Sequence, residues 1–90
     1  MGMDSNRNRN VLHPIYDSAR SFYNKAYWAT RDGDRVLYSY GVEVACIQKD
    51  GTVRIENLFS TTTTRHVREF LLQSGFPAGS ARQIRERYMK

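Results

Sequence analysis

One cysteine, Cys46, cannot build an intramolecular disulfide framework, and a lone cysteine suggests a reducing compartment. No apolar run approaches the about 20 residues that a membrane-spanning helix needs. The N-terminal stretch MGMDSNRNRN lacks the apolar segment of a secretory signal. His13, His66 and Cys46 are the only soft metal ligands, and their spacing fits no zinc pattern. There is no glycine-rich phosphate loop, no strand-to-helix nucleophile motif and no paired carboxylates. Asp32, Asp34 and Asp50 are accounted for as turn residues. These absences predict a cytoplasmic, non-enzymatic protein with no metal, no cofactor and no membrane partner. Negative charge is scarce in the last third. Residues 60–90 hold six Lys/Arg against Glu69 and Glu86, so they carry four of the chain's five net positive charges. A charge balance of this kind points to an acidic partner.

Ninety residues make one domain, with a core small enough that burial reaches only about 60–65% of the unfolded surface. Residues 1–10 show no hydrophobic periodicity and are expected to be a disordered tail; residues 11–90 are expected to form a single small domain. From Val11 to Tyr23, Ile15, Ala19 and Phe22 recur at i, i+4 and i+7 behind Pro14, which predicts a short amphipathic helix. Lys25 to Leu58 contains Asp32-Gly33 and Asp50-Gly51 between β-rich runs. Each dipeptide favours a two-residue hairpin turn, because Gly accepts the positive φ required there. The prediction is a three-stranded antiparallel β-meander, with Gly41 as a bend or bulge in a long central strand. Two-residue loops pair Ala29 with Val36, Tyr27 with Tyr38, Cys46 with Ile55 and Val44 with Asn57. They gather Val36, Tyr38, Tyr40, Val42, Val44, Cys46, Ile55 and Phe59 on one face for a helix to cover. The opposite face holds Trp28, Leu37 and Ile47 among charges.

A helix is expected from Thr62 to Ser74. Hydroxyls of Ser60 to Thr63 cap it, and Val67, Phe70 and Leu71 form its apolar stripe. Gly75 and Phe76 suit a Schellman stop, and Pro77 blocks continuation. A second, basic helix starts at Ser80, where Gln83 completes a capping box. The fold class is therefore α+β: a meander with one helix packed on a face, a short N-terminal helix and a basic C-terminal helix.

Two groups of residues are candidates for function. Arg82, Arg85, Arg87 and Lys90 on the last helix, with Arg65, His66 and Arg68 as a second cluster, would meet phosphates. Arginine dominates this set, and its fork suits bidentate phosphate contact better than lysine. The threonine run before Arg65 and His66 also suits an anion at a helix start, although capping is the commoner use of threonines there. The second group, Trp28, Leu37 and Ile47, would offer a hydrophobic centre with a polar rim to a protein partner. Cys46, in mid-strand, reads as a small buried hydrophobe. The sheet edges at Lys25–Thr30 and Thr52–Leu58 are blunted but uncovered, so a homodimer is expected over a monomer, by edge pairing or by packing of the Trp28 face across a two-fold axis.

The segments Ser21-Phe22-Tyr23-Asn24-Lys25-Ala26, Leu37-Tyr38-Ser39-Tyr40-Gly41 and Ser60-Thr61-Thr62-Thr63-Thr64-Arg65-His66, followed by Glu69-Phe70-Leu71, resemble an uncharacterised family of small proteins of phages, plasmids and other mobile elements. The resemblance spans about residues 21–75. It implies a small cytoplasmic accessory protein in a bacterial host and carries over no active site. By analogy such proteins act by binding, some as inhibitors of host defence nucleases in the manner of anti-CRISPR proteins. The expectation is a binding module for nucleic acid or a nucleoprotein through the arginine-rich helices; the alternative is a protein-binding inhibitor acting through the Trp28 face.

Overall fold

The computed structural model describes residues 9–89. Five antiparallel strands lie side by side in chain order: β1 (Asn10–Val11), β2 (Ala26–Arg31), β3 (Asp34–Ser39), β4 (Val42–Ile47) and β5 (Val53–Ile55). Helices α1 (Thr61–Gln73) and α2 (Ala81–Tyr88) follow. The α+β class is as expected, but the sheet has five strands where three were expected. One extra strand comes from the N-terminal side: Asn10 pairs with Trp28 and Val11 with Tyr27. The strand thus begins inside the expected tail and covers part of the β2 edge; residues 1–8 lie outside the described residues.

The other extra strand comes from a turn. Asp32-Gly33 makes the anticipated hairpin, with φ of 55° and 90°, and pairs Ala29 with Val36 and Tyr27 with Tyr38. Tyr40-Gly41 does the same thing, with φ of 53° and 78°, and pairs Ser39 with Val42. It is a hairpin turn, not a bend, and it cuts the expected long central strand into β3 and β4. The β3–β4 ladder then skips a residue: Leu37 faces Ala45, whereas Tyr38 faces Glu43, which leaves Val44 bulged.

At Asp50-Gly51 the loop is one residue longer than expected. Gly51 N–H donates to the Gln48 carbonyl and Gln48 N–H to the Thr52 carbonyl, both at 2.8 Å. The Asp50 carboxylate accepts the Thr52 N–H at 2.9 Å and fixes this wider loop. Ile55 therefore pairs with Ala45 instead of Cys46, and Arg54 with Cys46. A one-residue slip exchanges the two faces of a strand.

The helix-covered face is consequently the one expected to be mixed and partly wet. Leu37, Ala45, Ile47 and Ile55 join Val67, Phe70, Leu71 and Ile84 in one buried cluster. Tyr40, Val42 and Phe59, expected in the core, are each about half exposed. The choice of face follows from the tyrosines. A face carrying Tyr27, Tyr38 and Tyr40 would bury phenolic hydroxyls that need partners, whereas Leu37, Ala45 and Ile47 bury no polar atom. Leu37 and Ile47 are thus core residues, and Trp28 is half-buried against that core beneath the Arg35 guanidinium, 4.6 Å from its ring. The expected Trp28–Leu37–Ile47 surface patch does not exist as a surface.

No helix forms between Val11 and Tyr23. The segment bends around a carboxylate instead. Glu69, 1% exposed in α1, accepts the backbone N–H groups of Ile15 (2.9 Å), Tyr16 (3.1 Å) and Asp17 (2.9 Å), and the Gln73 side-chain amide at 2.7 Å. Gln73 also donates to the His13 carbonyl at 2.6 Å. Leu12 and Phe22 anchor the ends of the segment in the core, while Ile15, read as part of an apolar stripe, is exposed.

The helix ends match their sequence signals. Ser60 Oγ accepts the Thr63 N–H at 3.0 Å. Phe76 N–H reaches the Leu71 carbonyl and Gly75 N–H the Leu72 carbonyl, which is the Schellman pattern, with Gly75 at φ 86°. At α2, Ser80 Oγ accepts the Gln83 N–H at 3.2 Å and Gln83 Oε1 accepts the Ser80 N–H at 2.9 Å. Among the described residues, no helix is long and apolar enough to cross a membrane.

Candidate functional site

Thr61, Thr64, Arg65 and Arg68 recur at i, i+3, i+4 and i+7 along α1, so they share one face. With Ser60 and Leu58 at one end and Ala81 and Arg85 of α2 opposite, they line a groove of about 480 Å³. Val67, Phe70 and Leu71 hold α1 on the sheet, and buried Ile84 holds α2. The groove is thus framed by two fixed helices.

Asp17, from the bent segment, clamps the α1 side. Its carboxylate accepts Arg65 Nε at 2.9 Å and Arg65 Nη2, and lies 3.5 Å from Arg68 Nη2. It also accepts the Ala19 N–H at 2.9 Å. The side chain is 3% exposed. The Arg65 hydrogen bond holds the Asp17 carboxyl well below the usual carboxylate range, against the opposing effect of burial. Two guanidiniums share this one carboxylate. Arg85 makes no ion pair among the described residues, so the groove keeps two uncompensated positive charges.

Three of the cationic residues singled out in the sequence therefore converge: Arg65, Arg68 and Arg85. Arg82 points away and pairs with Glu86 at 3.2 Å across one helical turn. Arg87 opens onto a different surface beside Ala78, Gln83 and Glu86. Lys90 lies outside the described residues. His66 is fully buried and does not line this groove. Thr63, His66, Val67 and Phe70 form the inward face of α1, so His66 belongs to the packing side although it adjoins Arg65 in sequence.

His66 Nδ1 lies 2.8 Å from Ser39 Oγ, which lies 3.0 Å from Thr63 Oγ1. Ser60 Oγ donates to Thr63 Oγ1 at 3.1 Å. Burial first, and then the Arg65 charge, push the His66 pKa down to about 4; the Asp17 charge opposes them weakly. Unfolding restores an ordinary histidine near 6.5, so between pH 6.5 and 4 the unfolded chain binds more protons. Stability is then complete above pH 6.5 and falls as the solution is acidified through this window. The expected loss is about 2 kcal/mol by pH 5, and His66→Gln should flatten that slope in urea titrations at stepped pH.

Cys46 is buried, and burial raises its thiol pKa, as suits an inert core thiol. Among the described residues no three His, Cys, Asp or Glu side chains gather where they could hold a metal ion. Asp17 and Glu69, which organise the site, carried no signal in the sequence. Each acts on residues about 50 positions away.

Residues 11–86 match the model of a family of unknown function, DUF8033. The chain belongs to that family. No curated protein and no solved structure matches it. The matched span runs from β1 into α2 and includes Asp17, Arg65, Arg68 and Arg85, whereas Arg87 lies beyond it. The matched span takes in both walls of the groove.

Proposed function

We propose that this protein is a non-enzymatic binding module for nucleic acid, and that the groove between α1 and α2 receives its phosphates. The observation that carries this reading is the convergence of Arg65, Arg68 and Arg85 on one groove beside the Thr61 hydroxyl, with a single carboxylate, Asp17, shared by two of the three guanidiniums. Guanidinium forks and hydroxyls are the groups that bind phosphate oxygens. Asp17 holds Arg65 by its Nε edge, which fixes the side chain's direction before any ligand arrives. Such preorganisation lowers the entropy lost on binding. The other face of the sheet suits phosphate less well, since Glu43 and Glu56 stand there beside Arg31 and Arg54.

The setting we propose, from the motif resemblance, is the cytoplasm of a bacterial host carrying a mobile element. We also propose edge pairing, through β5 or the part of β2 that β1 leaves uncovered, as the route to a homodimer, and sedimentation at tens of micromolar protein tests it. The binding reading itself is tested by fluorescence anisotropy with labelled duplex DNA, single-stranded DNA and single-stranded RNA at 50 mM salt. Saturable binding that weakens steeply with added salt is expected. No binding to any of the three at that ionic strength sinks the proposal.

A further inference from the structure

A second cleft, of about 410 Å³, lies on the other side of Arg65 from the basic groove. Its walls are aromatic: Phe22, Tyr23, Tyr40 and His66, with Lys25 and Arg65 at the cationic positions. Phe22 packs edge-on against the His66 ring at 4.6 Å, and the Tyr40 ring stands 5.9 Å from it. Two features of this cleft have no use in the fold itself.

The first is where the tyrosines sit. Tyr40 and Gly41 occupy the centre of the β3–β4 turn at φ of 53° and 78°. Tyr23 and Asn24 occupy the centre of another turn at φ of 55° and 59°, closed by Lys25 N–H to the Phe22 carbonyl at 2.9 Å. A turn with positive φ at both central positions favours Asn, Asp or Gly, and the Asp32-Gly33 turn of this same chain obeys that preference. A tyrosine at the first central position is strained. Both strained tyrosines are also exposed, Tyr23 at 78% and Tyr40 at 49%. The strain thus holds two aromatic rings out toward solvent at one cleft.

The second feature is His66. The one arrangement that uses every hydroxyl proton has Ser60 donating to Thr63 Oγ1, Thr63 to Ser39 and Ser39 to His66 Nδ1. In the neutral ring the proton is then on Nε2. That buried N–H has no hydrogen-bond partner in the protein. Buried donors without acceptors are uncommon and call for one.

We propose that the cleft is a stacking pocket for one base of a single-stranded nucleic acid. Tyr23 and Tyr40 supply the π-faces, Lys25 and Arg65 meet the adjoining phosphates, and a ring nitrogen or carbonyl of the base accepts the His66 Nε2–H. His66 lines the cleft but is 0% exposed, so a base meets Nε2 only if the half-exposed Tyr40 ring, 5.9 Å from the imidazole, moves on binding. The inference rests on reading the neighbouring groove as a nucleic-acid site, because Arg65 lines both. Aromatic side chains are the sequence-tolerant platform for single strands, and a paired base inside a duplex cannot enter such a cleft.

The test compares the wild type with Tyr40→Asn and Tyr23→Asn, using a single-stranded oligonucleotide that contains 2-aminopurine and a duplex of the same length. Asparagine suits the left-handed turn, so each variant should melt at or above the wild-type temperature. Each should nevertheless lose roughly tenfold in single-strand affinity, from the stacking contribution of one base. Duplex affinity should not change, and the quenching of 2-aminopurine on binding should disappear. Variants that bind and quench the single strand as the wild type does overturn the proposal, as does an equal loss for single strand and duplex. If Arg85→Glu abolishes binding while the tyrosine variants do not, the pocket fails and the groove stands. If the wild type binds neither probe, both fail.

Discussion

Replacing Arg68 and Arg85 together with glutamate should weaken nucleic-acid binding about 1,000-fold at 50 mM salt, with the fold retained. The groove charge supports this size of effect. Three guanidiniums and the Asp17 carboxylate leave it at +2, and the double reversal takes it to −2. Each phosphate neutralised by a cation contributes a counterion-release increment, so three contacts to a single strand give a slope of log affinity against log salt of about −2. Reversal removes two contacts, adds repulsion, and should bring the slope close to zero. The fold should tolerate it, because the Arg68 side chain is 39% exposed and Arg85 is exposed. A change at exposed Arg85 usually shifts stability by less than about 0.5 kcal/mol, whereas Arg68→Glu also faces the Asp17 carboxylate, so binding is compared well below the melting temperature of each variant. Arg82→Glu with Arg87→Glu is the matched control: it changes net charge equally but lies outside the groove. Salt titrations of both double variants separate a localised site from diffuse attraction, since a diffuse effect would weaken both equally.

Glu69→Ala should cost about 4–6 kcal/mol in denaturant unfolding, enough to leave so small a domain barely folded. Truncation strands three backbone N–H groups, those of Ile15, Tyr16 and Asp17, in a partly buried bend. Each orphaned donor costs about 1–3 kcal/mol. The bend also presents Asp17 to Arg65 and Arg68, so losing it disorders the α1 wall of the groove. Glu69→Gln keeps one acceptor oxygen and should cost less than half as much. Hydrogen exchange at Ile15–Asp17 in the Gln variant provides the local readout: those amides should exchange faster than any amide of β3. Protection equal to the wild type would mean that the carboxylate does not hold the bend.

Short-range rules carried the legible part of this structure. Ser80 with Gln83, Gly75 with Phe76, and Asp32-Gly33 each sit where their chemistry indicated. The arginines of the groove were legible as charge, but not which of them converge. That depends on how α2 packs, and it sends Arg85 inward to the groove and Arg82 outward. The Tyr40-Gly41 hairpin was missed because tyrosine is a poor occupant of that turn position, and the same misfit motivates the stacking pocket. The covered face was misassigned because one extra loop residue at Gly51 moves Ile55 onto the face of Leu37 and Ala45, and because a tyrosine-rich face was read as core. The expected N-terminal helix gave way to contacts with Glu69, more than 50 residues away, which no local pattern encodes. The place of His66 in the exposed phosphate cluster was legible as wrong from spacing alone. Its spacing from Thr63, Val67 and Phe70 places it on the inward face.

The most direct test of the groove is arginine-resolved NMR, following the Nε–Hε signals of Arg65, Arg68, Arg82, Arg85 and Arg87 during titration with a short single-stranded RNA. Arg65, Arg68 and Arg85 should shift together along one saturable curve, while Arg82 and Arg87 stay close to their free positions. Equal shifts across all five, or shifts confined to Arg82 and Arg87, would contradict a binding site between α1 and α2.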